Sequence, residues 1–363
     1  MRRLGFILSL FGLLCLCSSH LFAAPLVSEG ASSSANLGLS LPPAESELLW
    51  KWKAPNISIQ HISVYDTVVY AVAPTAGIWR LSDKGYAVWN NPAQQADIEG
   101  SYLNTLWVST QKQNLLAIDK QYGYTLWQHH FDQKLISNVF TFSESVWVID
   151  AGYKLWRIDA RTGQKAVWMT LDGLRAPVWI GASPQRELCV VGGGWQKINI
   201  ETKVAYPIDL GFFPADVNAQ WLPQLSGIYF ISTDRHLQHY YQTQKAHSYD
   251  VPGVDRYYMP ELDHPVLYNK DRGQLTFYKN YDKRFEFALS VQPLGVGQID
   301  SFNLVFLPKG EIIGIDQRKW QTVFNIALDT PPQGSDVIFD GETAYYINYD
   351  GAVVAAIVVV DLF

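Results

Sequence analysis

The chain has 363 residues, a formal net charge of −6, 48% hydrophobic and 14% aromatic residues, and three cysteines. An acidic chain without a Lys/Arg run excludes a surface built for nucleic acid or for anionic lipid headgroups. The length is enough to bury a core that needs no covalent staples.

At the N-terminus, Met1-Arg2-Arg3 gives a positive start, Leu4–Cys17 is an almost unbroken apolar run, and Ser18–Ala23 ends on a small residue before Ala24-Pro25. That layout predicts a secretory signal over residues 1–23 and a protein exported to the periplasm. The apolar run of 14 residues is shorter than the roughly 20 that a spanning helix needs. Leu14 and Leu16 stand before Cys15 and Cys17, where a lipidated cysteine follows a small residue, so lipidation is not expected. Cys17 is the better candidate of the two, and membrane association otherwise requires a partner. Loss of Arg2 and Arg3 moves the formal charge from −6 to −8 and leaves one cysteine, Cys189. A lone thiol in the apolar run Leu188–Val191 reads as buried and inert. Residues 24–45 are small, polar and aperiodic, which predicts a flexible tether ahead of a packed domain over 46–363.

Leu48-Leu49-Trp50-Lys51-Trp52 follows as an orphan strand. A unit then recurs in which a strand ends on a turn residue and a second strand returns to an aromatic. Its clearest copy is Ala117-Ile118-Asp119-Lys120-Gln121-Tyr122-Gly123-Tyr124-Thr125-Leu126-Trp127. Asp119 can bond the turn backbone, Gly123 supplies a positive φ, and Trp127 can pack on the neighbouring unit. Marks at Ser82, Asp119, Asp159, Asn199 and Tyr240 are 37, 40, 40 and 41 residues apart. A further 76 residues lead to Asp316, two steps with a turn near Lys279. Short β-branched and aromatic strands such as Thr105–Ser109, Ser145–Ile149 and Gly227–Ile231 lie between the marks.

About 40 residues with four short strands make one propeller blade. Seven marked units and one over about 334–363 predict an all-β, eight-bladed β-propeller of four-stranded antiparallel blades, with seven blades as the alternative. A β-sandwich accounts for the strands but not for the recurring turn. The orphan N-terminal strand is expected to complete the last blade and close the ring. In the C-terminal Val-rich run, Asp361 and Phe363 would share a face, which argues against a membrane-barrel strand and for a buried blade strand.

The stretch Ala117–Trp127 resembles the tryptophan-docking motif of pyrroloquinoline-quinone (PQQ) repeat propellers, Ala-x-Asp-x-x-Thr-Gly-x-x-x-Trp. Asp159, Thr162 and Gly163 match it too, with Trp168 one residue late. Within that class, an exported propeller of this length with a tether and no large extra domains resembles the BamB family, whose members are non-enzymatic scaffolds in outer-membrane β-barrel assembly. The resemblance implies a protein partner, possession of no cofactor, an outer-membrane-associated periplasmic location, and a monomer within a complex. Leu171-Asp172-Gly173-Leu174-Arg175-Ala176-Pro177 resembles a contact loop of that family, here three residues shorter, which implies Leu174 and Arg175 as contact residues. A second family loop with an acid-x-acid pattern is matched loosely by Asp216-Val217-Asn218 and more closely in sequence by Glu261-Leu262-Asp263, leaving Asp216 and Asn218 or Glu261 and Asp263 as candidates.

Two other functions are weighed. The class also contains PQQ- and Ca²⁺-dependent dehydrogenases, which need oxygen ligands for calcium and an Asp base. The acidic residues here sit mostly at turn marks, and no adjacent cysteine pair follows the signal. A small ligand or glycan in the central channel is the other alternative, since aromatics are plentiful. No metal site is read from His129-His130 or from His236 and His239, whose rings diverge in a strand. Gly192-Gly193-Gly194 reads as a strand turn.

Overall fold

Runs such as Val68–Ala73 and Leu304–Phe306 combine β-branched and aromatic side chains, which suit a pleated and buried surface. In a computed structural model they form strands. The chain divides into residues 1–40 and 41–363. The structure describes residues 44–360 apart from 176–177, 183–186, 193, 209–219, 223–226, 232–234, 241–245, 250–251, 261–263, 280–281, 329, 334–336 and 342. The expected signal and nearly all of the tether lie outside the described residues.

Strand β1 spans Ala44–Trp52, so regular structure begins two residues before the expected boundary at 46. The first sheet holds β2 (His61–Tyr65), β3 (Val68–Ala73), β4 (Gly77–Leu81) and β5 (Ala87–Asn91). The second holds β6 (Ala96–Tyr102), β7 (Thr105–Thr110), β8 (Asn114–Asp119) and β9 (Thr125–His130). In the third are β10 (Phe140–Phe142), β11 (Ser145–Ile149), β12 (Lys154–Asp159) and β13 (Lys165–Thr170). The fourth comprises β14 (Trp179–Ala182), β15 (Leu188–Val191), β16 (Trp195–Asn199) and β17 (Val204–Ile208), and the fifth β18 (Gln220–Leu222), β19 (Gly227–Ile231), β20 (Leu237–Tyr240) and β21 (Ala246–Ser248). Next come β22 (Arg256–Tyr258), β23 (Val266–Asn269), β24 (Gln274–Lys279) and β25 (Asp282–Ala288), then β26 (Gly295–Ile299), β27 (Phe302–Phe306), β28 (Glu311–Asp316) and β29 (Gln321–Ala327). The eighth sheet runs β30 (Ile338–Asp340), β31 (Thr343–Ile347), β32 (Val353–Val360) and then β1. Its outer pair is antiparallel, with Trp52 opposite Val353 and Ala44 opposite Val360. The Val-rich run is thus an inner strand of a sheet, with Val353 to Ala356 buried.

In the second sheet the second and third strands are almost wholly buried, and the fourth, β9, alternates between exposed and half-buried positions. First strands of adjoining sheets approach one another: β2 with β6, β10 with β14, and β26 with β30. Strand β2 also approaches β30 and β31 of the eighth sheet. Hydrophobic clusters sit between sheets. Tyr70, Val72 and Ile78 of the first meet Leu106, Val108 and Leu116 of the second. Phe306 and Phe324 of the seventh meet Tyr346 and Val354 of the eighth, and Ile347 and Val353 of the eighth meet Val69, Ala71 and Trp79 of the first. Each fully buried side chain of this size contributes about 1.5–3 kcal/mol.

Six marks in the sequence repeat close a third strand, Asp119, Asp159, Asn199, Tyr240, Lys279 and Asp316, and Ser82 directly follows one. Asp119 Oδ1 accepts the amides of Gln121 and Tyr122, both at 2.8 Å. Asp159 Oδ1 accepts those of Arg161 and Thr162 at 3.1 and 2.6 Å. Asn199 and Asp316 cap their turns in the same way.

The turn then receives an aromatic from the preceding sheet. Gly123 has φ 77°, and a Cβ there would lie 2.5 Å from the ring of Trp89. Trp89 Nε1 donates to Lys120 O at 3.0 Å. Trp127 repeats this on Gly163, donating to Ala160 O at 3.2 Å. Trp50 of β1, which lies in the eighth sheet, covers Gly85 of the first sheet. The expected packing of the repeat aromatic on its neighbour is therefore observed between the first three sheets, and between the eighth and the first.

Candidate functional site

Antiparallel pairing sorts the connections between two ends of the sheets. Turns joining first to second and third to fourth strands share one end, and backbone bonds tie them together: Lys120 N to Asn104 O at 2.9 Å and Ala160 N to Glu144 O at 3.0 Å. Turns joining second to third strands share the other end with the links between sheets. Phe131 N to Gln113 O at 2.8 Å and Arg175 N to Gly192 O at 2.9 Å tie those together. We call these the turn end and the link end.

The loop after β13 lies at the link end. Leu171 N donates to Tyr153 O at 2.9 Å, and Gln196 Nε2 to Asp172 O at 2.7 Å. Leu174 is buried in a cluster with Leu171, Val178 and Ile180, whereas Arg175 is exposed. The two implied contact residues therefore face different surroundings. Asp216 and Asn218, and likewise Glu261 and Asp263, lie outside the described residues. Their positions along the chain still differ: Asp216 and Asn218 fall between β17 and β18, a link between sheets, while Glu261 and Asp263 fall between β22 and β23, a first-to-second connection.

Among the described residues, three clefts open at the turn end. One of about 550 Å³ lies between Tyr102–Thr105 of the second sheet and Glu144 with Asp159–Thr162 of the third. Leu103 stands beside it, 77% exposed and at φ 49°. A second of about 310 Å³ includes His264, Arg284, Gln317 and Trp320. The third, of about 170 Å³, lies between the first and second sheets and includes Tyr70, Arg80 and Lys120. Sequence reasoning missed all three, because their walls come from turns about 40 residues apart in sequence.

The remaining sequence candidates resolve individually. His129 Nε2 engages Gly163 O, and burial lowers its pKa below the usual imidazole value. His130 Nδ1 turns instead to Asn114 Oδ1 at 2.9 Å. Cys189 is buried, and burial pushes its thiol up to about 12. Gly192 and Gly194 belong to the turn between β15 and β16, where Gly192 N donates to Gly194 O at 2.9 Å. Among the described residues, no group of three or more His, Cys, Asp or Glu is placed to hold a metal ion.

Comparison with known proteins places the repeat. Residues 68–187 match the family model described as outer membrane protein assembly factor BamB. Among solved structures, BamB from Moraxella catarrhalis is 13% identical with a TM-score of 0.61, over 86% of this chain and 97% of that one. The computationally designed protein Ika8 gives a TM-score of 0.62 at 11% identity, over 85% and 99%. Sqt1 from Saccharomyces cerevisiae gives 0.60 at 10%, over 89% and 100%. No curated protein matches the chain. At these identities the structures establish the fold, and the matched segment spans the sheets with the clearest docking turns. The chain has a β-propeller fold, and its residues 68–187 resemble the PQQ-like repeats of BamB.

Proposed function

We propose that this protein is a non-enzymatic, periplasmic protein-binding scaffold of outer-membrane β-barrel assembly, built as a closed ring of eight blades. The observation that carries the role is the match of residues 68–187 to the BamB family model. The packing of Trp50 on Gly85, which repeats between the eighth and first sheets the dock of Trp89 on Gly123, supports closure.

The partner is held at the link end. Arg175 is exposed there, while Leu174 fixes its loop from within the core. Asp216 and Asn218, which fall in sequence between β17 and β18, or Glu261 and Asp263, between β22 and β23, are the candidates to accompany Arg175. A few such anchors carry most of the affinity of a protein interface.

The test is recovery of partners from detergent-solubilised envelopes with the intact protein as bait. A barrel-assembly component should be enriched, and Arg175→Glu should weaken its retention about tenfold. Recovery of no such component by the folded wild-type protein overturns the assignment.

A further inference from the structure

In the first, second, third and seventh sheets, two residues join the first strand to the second, and the leading one takes a positive φ: Asp66 at 51°, and Leu103, Ser143 and Asp300 each at 49°. Asp and Ser suit such a turn, because their short side chains bond the local backbone. A bulky apolar side chain does not. Leu103 nevertheless stands there, exposed on the rim of the largest of the three clefts. Neither local conformation nor burial accounts for a leucine at this position.

The facing wall of the same cleft carries a second irregularity. In the second sheet Asn104 Nδ2 donates to Asp119 Oδ2 at 2.9 Å. The equivalent residues of the third sheet are Glu144 and Asp159, as the matching bonds of Lys120 N to Asn104 O and of Ala160 N to Glu144 O show. Two carboxylates have no donor with which to make that bond. Among the described residues, neither has an ion-pair partner. Hydrogen bonds from the Thr162 amide and hydroxyl hold Asp159 below the usual carboxylate range, so it is ionised at neutral pH. The cleft sets these two carboxylates against the single guanidinium of Arg161, and its lining keeps one net negative charge.

We propose that this cleft is a docking site for a segment of another protein that presents a lysine or arginine beside an apolar side chain. The apolar side chain packs on Leu103 and on the half-buried ring of Tyr102, and the cation pairs with the carboxylates of Glu144 and Asp159. Covering Leu103 removes apolar surface from water, and the cation supplies the charge that the lining lacks. A strained residue held at a surface is expected where the strain serves binding. The volume of about 550 Å³ admits two side chains. The site lies at the turn end, whereas Arg175 lies at the link end, so it does not depend on the partner assigned above.

The intact protein is titrated with the terminally blocked peptide Gly-Leu-Lys-Leu-Gly, with Gly-Leu-Glu-Leu-Gly and Gly-Ser-Lys-Ser-Gly as controls. Calorimetry and tryptophan fluorescence follow binding, since Trp127 Nε1 donates to Ala160 O in the cleft wall at 3.2 Å. The expected result is saturable binding of the first peptide, weaker by at least about tenfold for either control and for either of the variants Leu103→Ser and Glu144→Asn. Both variants should keep the wild-type thermal midpoint or exceed it. Leu103→Ser installs the residue that the third sheet has at this turn position, and Glu144→Asn rebuilds in the third sheet the Asn104–Asp119 pair of the second. Lost affinity in these variants therefore reports the site and not unfolding. Absence of saturable binding, equal binding of the glutamate control, or unchanged affinity in either variant overturns the proposal. So does a lower midpoint in Leu103→Ser, which would give the leucine a role in the fold, or self-association of the wild-type protein that Leu103→Ser abolishes, which would make a second copy the occupant.

Discussion

At the residue scale, blade docking is a meeting of one left-handed turn position with one aromatic ring. Gly123→Ala places a Cβ against Trp89 at a backbone angle that L residues resist. It should destabilise the protein by about 2–4 kcal/mol in urea unfolding. The same position in the fourth sheet is Lys203 at φ 56°, with its Nζ 4.2 Å from the centroid of Trp168. Lys203→Gly trades backbone relief for a lost cation–π contact, so its stability should stay within about 1 kcal/mol of wild type. In the seventh sheet the roles are exchanged: Trp320 takes the turn position at φ 53°, and its ring stacks on Phe285 of the preceding sheet. The Asp-Gly-Trp turns were legible in sequence because each residue type answers a distinct local need. Lys203 and Trp320 were not, because their conformations are sustained by rings that arrive from another sheet. Titration belongs to this scale too. Burial lowers the pKa of His61 and of His129 from 6.5. The unfolded chain therefore binds protons first as pH falls through 6.5, and stability should decline below that value. Thermal midpoints measured from pH 7.5 to 5 should show a smaller decline in His129→Gln than in wild type.

At the element scale, the third and fourth strands of most sheets are joined through a β-bulge, which adds a residue and increases twist. In the second sheet Ala117 faces Trp127 and Ile118 faces Thr125, so Leu126 is the extra residue and the docking ring follows it. The same order holds for Val88 before Trp89, Arg284 before Phe285 and Leu49 before Trp50. In the third sheet Trp156 faces Val167 and Leu155 faces Met169, so Trp168 is itself the extra residue. This resolves the late tryptophan of the sequence repeat: one more residue would turn the ring to the outer face, and moving the bulge turns it back. A bulge is set by pairing with a neighbouring strand, so motif spacing alone could not reveal it. Burial of Leu174 was hidden for a similar reason, since its neighbours Val178 and Ile180 lie beyond the loop. On the last strand pair, Trp50→Ala removes the ring that covers Gly85 and packs 6.0 Å from that of Tyr345. A loss of about 2–3 kcal/mol is expected for this half-buried ring, read as a lower midpoint of chemical unfolding.

At the scale of the whole molecule, the repeat spacing foretold where the third strands of seven sheets end and that a separate N-terminal strand would be left over. It could not show which connections share an end, because that depends on strand direction around the sheets. The two ends differ in what they do for the fold. The turn end carries the Asp and Gly residues that receive docking rings, and the link end carries longer connections that are freer to differ in length. Deletion of residues 44–52 should leave β32 as an uncovered edge beside the first sheet. The shortened protein should unfold less cooperatively and self-associate, as measured by calorimetry and light scattering. The pairing of β1 with β32 also orders events in time. Val360 is made more than three hundred residues after its partner Ala44, so during synthesis the first strand waits unpaired while the intervening sheets form. Completing the fold thus requires the last strand to reach the first, and a chain interrupted anywhere before β32 keeps an open edge by which quality control can recognise it as unfinished.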